Sequence, residues 1–186
     1  TLCIAALFCI LMYIGGLSYK FIGTALAIAI PAAIIVVSIA VMPNQPFLKE
    51  YQQKRILAWL EPEKYADDTA YQQQNSIMAI GSGQLKGKGL NNNTTTSVKN
   101  GNFLLEADTD FIFAIIGEEL GFVGCCVVII LLLLIVIQCI LIGLRAQNLA
   151  GRIICGGVAA LIAIQSFINI GVATGVLPNT GLSLPF

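Results

Sequence analysis

Apolar and polar positions divide the chain into four hydrophobic runs, with one long polar stretch between the second and the third. Residues 2–17 are apolar apart from small side chains, and Ser18-Tyr19-Lys20 breaks the run. Phe21 to Met42 is a second run, long enough for the ~20 residues that a helical span needs. Pro31 stands in its middle. A proline there removes a backbone hydrogen bond and kinks the helix, which membrane helices tolerate when neighbours satisfy the freed carbonyl. From Phe111 the chain is apolar as far as Leu144. As one straight helix, at 1.5 Å per residue, that run would reach about 50 Å. The hydrocarbon core is only ~30 Å thick. The pattern therefore predicts a short interfacial helix over 111–120, a break near Gly121 or Gly124, and a span over about 122–144. Beyond a short loop, Arg145 to Arg152, a last span covers about 153–176. Residues 177–186, with two prolines and Gly181, read as irregular.

The four expected spans are thus about 2–17, 21–42, 122–144 and 153–176, and the polar stretch 43–121 is a loop between the second and third. It is too long for a passive connection. Lys49 to Leu60 reads as a short helix stopped by Glu61-Pro62-Glu63. Tyr71 to Ile80 is a second, amphipathic helix candidate. Gly81-Ser82-Gly83 and Gly87-Lys88-Gly89 read as a flexible turn, and the Asn- and Thr-rich tract 91–100 as irregular.

Composition supports a membrane class. Hydrophobic residues make up 57% of the chain and charged residues 11%, against about 25% charged in soluble domains. The formal net charge is zero, which gives nucleic acid no electrostatic attraction. All ten acids lie between Glu50 and Glu119, and seven of the ten bases lie between Lys49 and Lys99. The loops around Lys20 and over 145–152 carry bases and no acids. With two spans and the long loop between them they share a side, and the positive-inside rule makes that side cytoplasmic. The long loop then faces outward, away from ATP. Six cysteines sit in apolar runs, without a His in the chain or a C-x-x-C pair. They read as small lipid-phase residues, not as a disulfide or zinc framework. The chain opens inside an apolar run and stops at Pro185-Phe186, so it reads as an internal piece of a longer protein, inactive by itself.

The charge that demands an explanation is an acid cluster at the membrane edge: Glu106, Asp108, Asp110, Glu118 and Glu119. Desolvation and like-charge neighbours raise carboxyl pKa values, which is how an acid becomes a base near neutral pH. Asp108-Thr109-Asp110 is a D-x-D, a pattern that can hold a divalent cation through oxygen ligands. The same residues can instead cap the following helix, and the two roles are compatible. The run Gly81 to Gly89 is not a phosphate-binding P-loop, because Gly89 stands where Ser or Thr must follow Gly-Lys. Its backbone N–H groups and Lys86 and Lys88 can still meet a phosphate. Gln165 and Asn169, four apart on one helix face, suit either helix–helix hydrogen bonding or the lining of a substrate groove.

Several blocks occur together and in order. They are Lys54-Arg55-Ile56 with Leu60-Glu61-Pro62; Tyr71-Gln72, Ser76 and Ala79 to Gly83; and Gly87-Lys88-Gly89-Leu90. Glu106-Ala107, Thr109 to Phe113 and Gly117 to Gly121 follow, and then Gln165, Asn169-Ile170-Gly171, Gly175, Leu177-Pro178, Thr180-Gly181 and Leu184 to Phe186. This joint pattern resembles the SEDS family (shape, elongation, division and sporulation; FtsW, RodA and SpoVE) from Ser18 onward. The chain departs from it at Leu105, where Pro is usual, and at Asp108, where relatives often carry His. The second departure weakens the metal reading of the D-x-D.

The resemblance implies an all-α polytopic membrane protein, of whose roughly ten helices this chain holds about four, with a large extracellular loop containing short helices. It implies a glycosyltransferase that polymerises lipid II into peptidoglycan at the bacterial cytoplasmic membrane, in cell division or shape maintenance. The matching catalytic acid is Asp110. Lys54, Arg55, Lys86, Lys88, Gln165 and Asn169 are candidates for holding pyrophosphate or glycan, and Glu106, Thr109, Glu118 and Glu119 for support. Mg²⁺ or Mn²⁺ is the one cofactor considered, with Asp110 at most as its ligand, and no organic cofactor is expected. The implied partners are a class B penicillin-binding transpeptidase and other divisome or elongasome membrane proteins. The competing readings are a flippase for the lipid-linked precursor, which would place its polar groups near the midplane, and a non-catalytic scaffold.

Overall fold

A computed structural model describes residues 2–40, 50–61, 64, 69–90 and 110–186, and among the described residues every regular element is a helix. Helices α1 (Leu2–Ile14) and α2 (Tyr19–Ala40) precede the polar loop. Helices α3 (Glu50–Leu60) and α4 (Thr69–Gly83) belong to it, and α5 (Ile112–Arg145) and α6 (Leu149–Ala173) follow it. At 34 and 25 residues, α5 and α6 are long and apolar enough to cross a membrane. Their outer faces expose Ile130, Leu133, Leu134, Ile142 and Ile154. An apolar surface of that extent needs lipid or protein against it, and this is a membrane protein.

Helices α5 and α6 run antiparallel. Gly143 lies beside Cys155 at one end, and Phe111 and Ala114 pack on Val172 at the other. Helix α1 is antiparallel to α6. A Cβ on Gly156 would run into the side chain of Ile14, while Cys3 and Ile4 face Ile164 and Gln165. The C-terminal end of α1 therefore meets the N-terminal end of α6. Packing thus puts Lys20, Arg145 and Arg152 at one end of the bundle, and α3, α4 and Asp110 at the opposite end.

The loop helices seat on the C-terminal end of α6, where a helix leaves its last carbonyls without intrahelical partners. Gln73 Nε2 donates to Val172 O at 2.9 Å and to Leu177 O at 2.7 Å. Ser76 Oγ donates to Ala173 O at 2.9 Å, and Trp59 Nε1 to Gly175 O at 3.1 Å. The inward side of α4 is largely polar. Gln73, Asn75 and Ser76 are buried, while Met78 is exposed. Its polar side faces inward because the surface beneath it is carbonyl-rich.

The long apolar run is broken at Gly121, whose φ of 67° and ψ of −165° leave helical geometry. In an unbroken helix, Phe122 N would donate to Glu118 O and Val123 N to Glu119 O. Here residues 84–89 take over all four groups. Phe122 N donates to Gln84 O (2.8 Å) and Val123 N to Leu85 O (3.3 Å). Lys88 N donates to Glu118 O (2.9 Å) and Gly89 N to Glu119 O (3.0 Å). The turn expected to be flexible is thus spliced into α5. Close approach explains its glycines: a Cβ on Gly83 would overlap the carbonyl of Gly117, and one on Gly87 the carbonyl of Glu119.

Candidate functional site

Asp110 immediately precedes the fully buried Phe111, which anchors the turn into α5. The backbone carbonyl of Asp110 accepts a hydrogen bond from Asn169 Nδ2 at 2.8 Å. The same amide donates to Leu182 O at 2.7 Å. One turn back along α6, Gln165 Nε2 donates to Ser183 O at 2.9 Å. Leu184 is buried among Phe113, Cys125, Leu132 and Ala173. Residues 177–184 thereby form a strap fixed across the end of α5 and α6. Its tightest point is Gly181, at φ 66°, whose N–H donates to Asn179 Oδ1 at 3.2 Å. A Cβ on Gly181 would stand 3.4 Å from Asp110 Oδ2. The carboxylate lies over this glycine, with exposed Thr180 and Ser183 on the strap beside it. A half-buried carboxylate beside exposed hydroxyls and backbone can take a proton from a bound alcohol.

Lys88 and Glu118 form a second, separate feature. Lys88 Nζ lies 2.7 Å from Glu118 Oε1, with the side chains 22% and 3% exposed. Removing one partner of a buried pair leaves the other charge uncompensated, at a cost of about 3–5 kcal/mol, whereas replacing both by apolar groups is often neutral. Glu118→Ala is accordingly expected to lower the stability of the full-length protein by about that amount, read from its melting curve. Lys88→Met/Glu118→Leu should recover most of the loss, and a double variant as unstable as the single one would show that the pair is not its cause.

The structure brings Asp110, Gln165, Asn169 and the strap together. It places Glu118 two turns further along α5, about 12 Å away by helical rise, so the Lys88–Glu118 pair is not at the carboxylate. Lys86 is exposed on the spliced loop, and Arg55 is half-buried on α3, which also carries Lys54. Glu119 is half-buried and its carbonyl holds Gly89 N. Glu106, Asp108 and Thr109 lie outside the described residues. No group of three His, Cys, Asp or Glu among the described residues is placed to hold a metal. Mg²⁺ usually keeps several waters and takes one or two carboxylates together with substrate phosphates, and with Glu118 paired to Lys88 Asp110 is the described carboxylate that could serve as such a ligand. The strap and the α4 side chains Gln73 and Ser76 were not singled out by the sequence as contributors to the site. Their i, i+3 spacing within a polar run was the available signal.

Comparison with known proteins identifies the family. The family model for the FtsW/RodA/SpoVE type, described as "Cell cycle protein", matches residues 1–186. The chain is 39% identical over 159 residues to the probable peptidoglycan glycosyltransferase FtsW of Geobacter sulfurreducens (strain DL-1 / KN400), covering 84% of this chain and 42% of that protein. It is 35% identical over 176 residues to the peptidoglycan glycosyltransferase MrdB of Escherichia coli (strain K12), covering 94% of this chain and 44% of that one. A solved structure described as "Structural coordination of polymerization and crosslinking by a peptidoglycan synthase complex" contains a chain that superposes with a TM-score of 0.65 at 27% identity. The match covers 99% of this chain and 47% of the other. The chain thus spans less than half the length of these relatives. With the family model matching from the first residue to the last, and relatives above 30% identity, the chain belongs to the FtsW/RodA/SpoVE family of cell cycle proteins, the SEDS family that its motifs resemble.

Proposed function

We propose that this chain carries the catalytic region of a peptidoglycan glycosyltransferase, which polymerises lipid II on the outer face of the bacterial cytoplasmic membrane. The observation that carries the reading is the placement of Asp110. Its carboxylate is held against Gly181 at the loop end of the bundle, opposite the end that bears Lys20, Arg145 and Arg152. The positive-inside rule turns that separation into an outward-facing site. The names of the FtsW and MrdB relatives support the reaction class.

In the reaction, Asp110 accepts the proton of the acceptor sugar 4-hydroxyl as that oxygen attacks the anomeric carbon of the donor sugar. The bond from that carbon to the pyrophosphate oxygen breaks, and undecaprenyl pyrophosphate leaves. Lys54, Arg55 and Lys86 are the bases that can offset the leaving group's charge. Lys88 serves there only if it gives up Glu118. Mg²⁺ or Mn²⁺, when bound, would add counter-charge to the pyrophosphate. The remaining features follow the family: about four of some ten spans, an outer loop over 43–121, and a class B penicillin-binding transpeptidase as partner. The solved neighbour's description, which joins polymerisation to crosslinking, supports that partner.

The test is purified full-length protein in liposomes supplied with lipid II. Polymeric glycan and undecaprenyl pyrophosphate are the expected products. Lipid II crossing the bilayer with no polymer formed would replace this reading with that of a transporter.

A further inference from the structure

We propose that Asn169 is a positioning residue for Asp110 rather than a contact to substrate, an inference that rests on the reading of Asp110 as the base. Asn169 is completely buried, so no sugar or phosphate reaches it without the bundle opening. Both hydrogens of its amide are used, one on Asp110 O and one on Leu182 O. A flipped amide would set its oxygen against two carbonyl oxygens, so these two acceptors fix its orientation. Its own Oδ1 has no hydrogen-bond partner among the described residues.

What the amide joins explains why its polar head is kept in an apolar interior. Asp110 lies at the exit of the loop and Leu182 in the strap, and neither segment is regular structure at that point. Without this tie, the distance between the carboxylate and Gly181 would rest on the less direct anchors Phe111 and Leu184. The Asn169 amide fixes both carbonyls to one rigid helix face. Gln165 Nε2 holds the next strap carbonyl, Ser183 O, from the turn below. The pair therefore sets the position of the base relative to the strap and, through the strap, to whatever sugar rests on it. Geometry errors of ~1 Å at a reacting centre cost on the order of 10²-fold in rate.

Asn169→Asp keeps the shape of the side chain and replaces its two-hydrogen donor by an acceptor, so both ties are lost. In the full-length protein, lipid II polymerisation should show kcat lowered by roughly 10- to 100-fold. The lipid II dissociation constant, measured separately by binding, should stay within about twofold of wild type, because a positioning residue makes no ground-state contact. A purely structural residue would instead lower the folded amount and leave kcat per folded molecule unchanged. Where the Asp variant is not recovered folded, Asn169→Ser is read the same way, since its short hydroxyl reaches neither carbonyl.

Wild-type kcat per folded molecule in the variant recovered would overturn the inference. So would weakened lipid II binding with kcat unchanged, which would make Asn169 a substrate contact. Asp110→Asn run in parallel separates the two levels. If it is inactive while the Asn169 variant is normal, only the positioning role fails. If it is fully active, the assignment of the base fails.

Discussion

Alanine at Gly87 is expected to keep the full-length protein from reaching its folded state. The residue stands at φ 78°, and its added Cβ would overlap the Glu119 carbonyl and lie 2.6 Å from the carbonyl carbon of Leu120. Those atoms are backbone of α5 and cannot rotate away. Relief requires the 84–89 loop to leave the break in α5, which frees Phe122 N, Val123 N, Glu118 O and Glu119 O together. Each backbone group left without a partner away from water costs about 1–3 kcal/mol. Four of them approach the ~5–15 kcal/mol that hold a typical domain folded. Gly121→Ala should act similarly, because φ 67° is unfavourable for a side chain and its Cβ would overlap Gly87 N. Gly81→Ala is the control, since its Cβ would meet nothing within 4 Å. The measurement is the yield of monodisperse protein in detergent and its melting curve. A Gly87→Ala protein that melts like the Gly81→Ala protein would mean that the loop is not spliced into the helix.

The need for this break was legible in the sequence, because a 34-residue apolar helix is longer than a bilayer is thick. Its position was not. Gly121 and Gly124 were equal candidates until a distant segment supplied the partners for the freed backbone groups. A clue was present in the spacing: Gly83 and Gly87 meet Gly117 and Gly121, and each pair is four apart. Small residues at that spacing let backbones approach closely, yet nothing in one segment says which other segment it meets. Helix α4 was legible as an amphipathic stretch, but which of its faces turns inward was not. Polar residues normally seek water, and here Gln73 and Ser76 find the carbonyl end of α6 instead. Gln165 and Asn169 were marked as polar residues in an apolar run, with helix pairing and a substrate groove both open. Their partners are backbone carbonyls of an irregular strap, which no periodicity announces. Physical reading alone reached an acid cluster at a membrane edge, and the motif pattern singled out Asp110 from it. The structure adds the reason that this acid is fixed in place: its backbone, not its carboxylate, carries the tie to Asn169.

That division of labour makes Asp110→Asn the sharpest variant. The change is isosteric and leaves the Asn169 tie to the backbone intact, so the variant should still fold, at a cost of about 1–3 kcal/mol at most for an altered side-chain hydrogen bond. Loss of the base should lower polymerisation by about 10²–10⁴-fold, the usual contribution of general base catalysis. The decisive measurement is undecaprenyl pyrophosphate released from lipid II by equal folded amounts of full-length wild-type and Asp110→Asn protein. Steady release by the wild type and a drop of at least about 10²-fold in the variant are expected, with both proteins folded. Equal release by the two proteins would rule out Asp110 as the base.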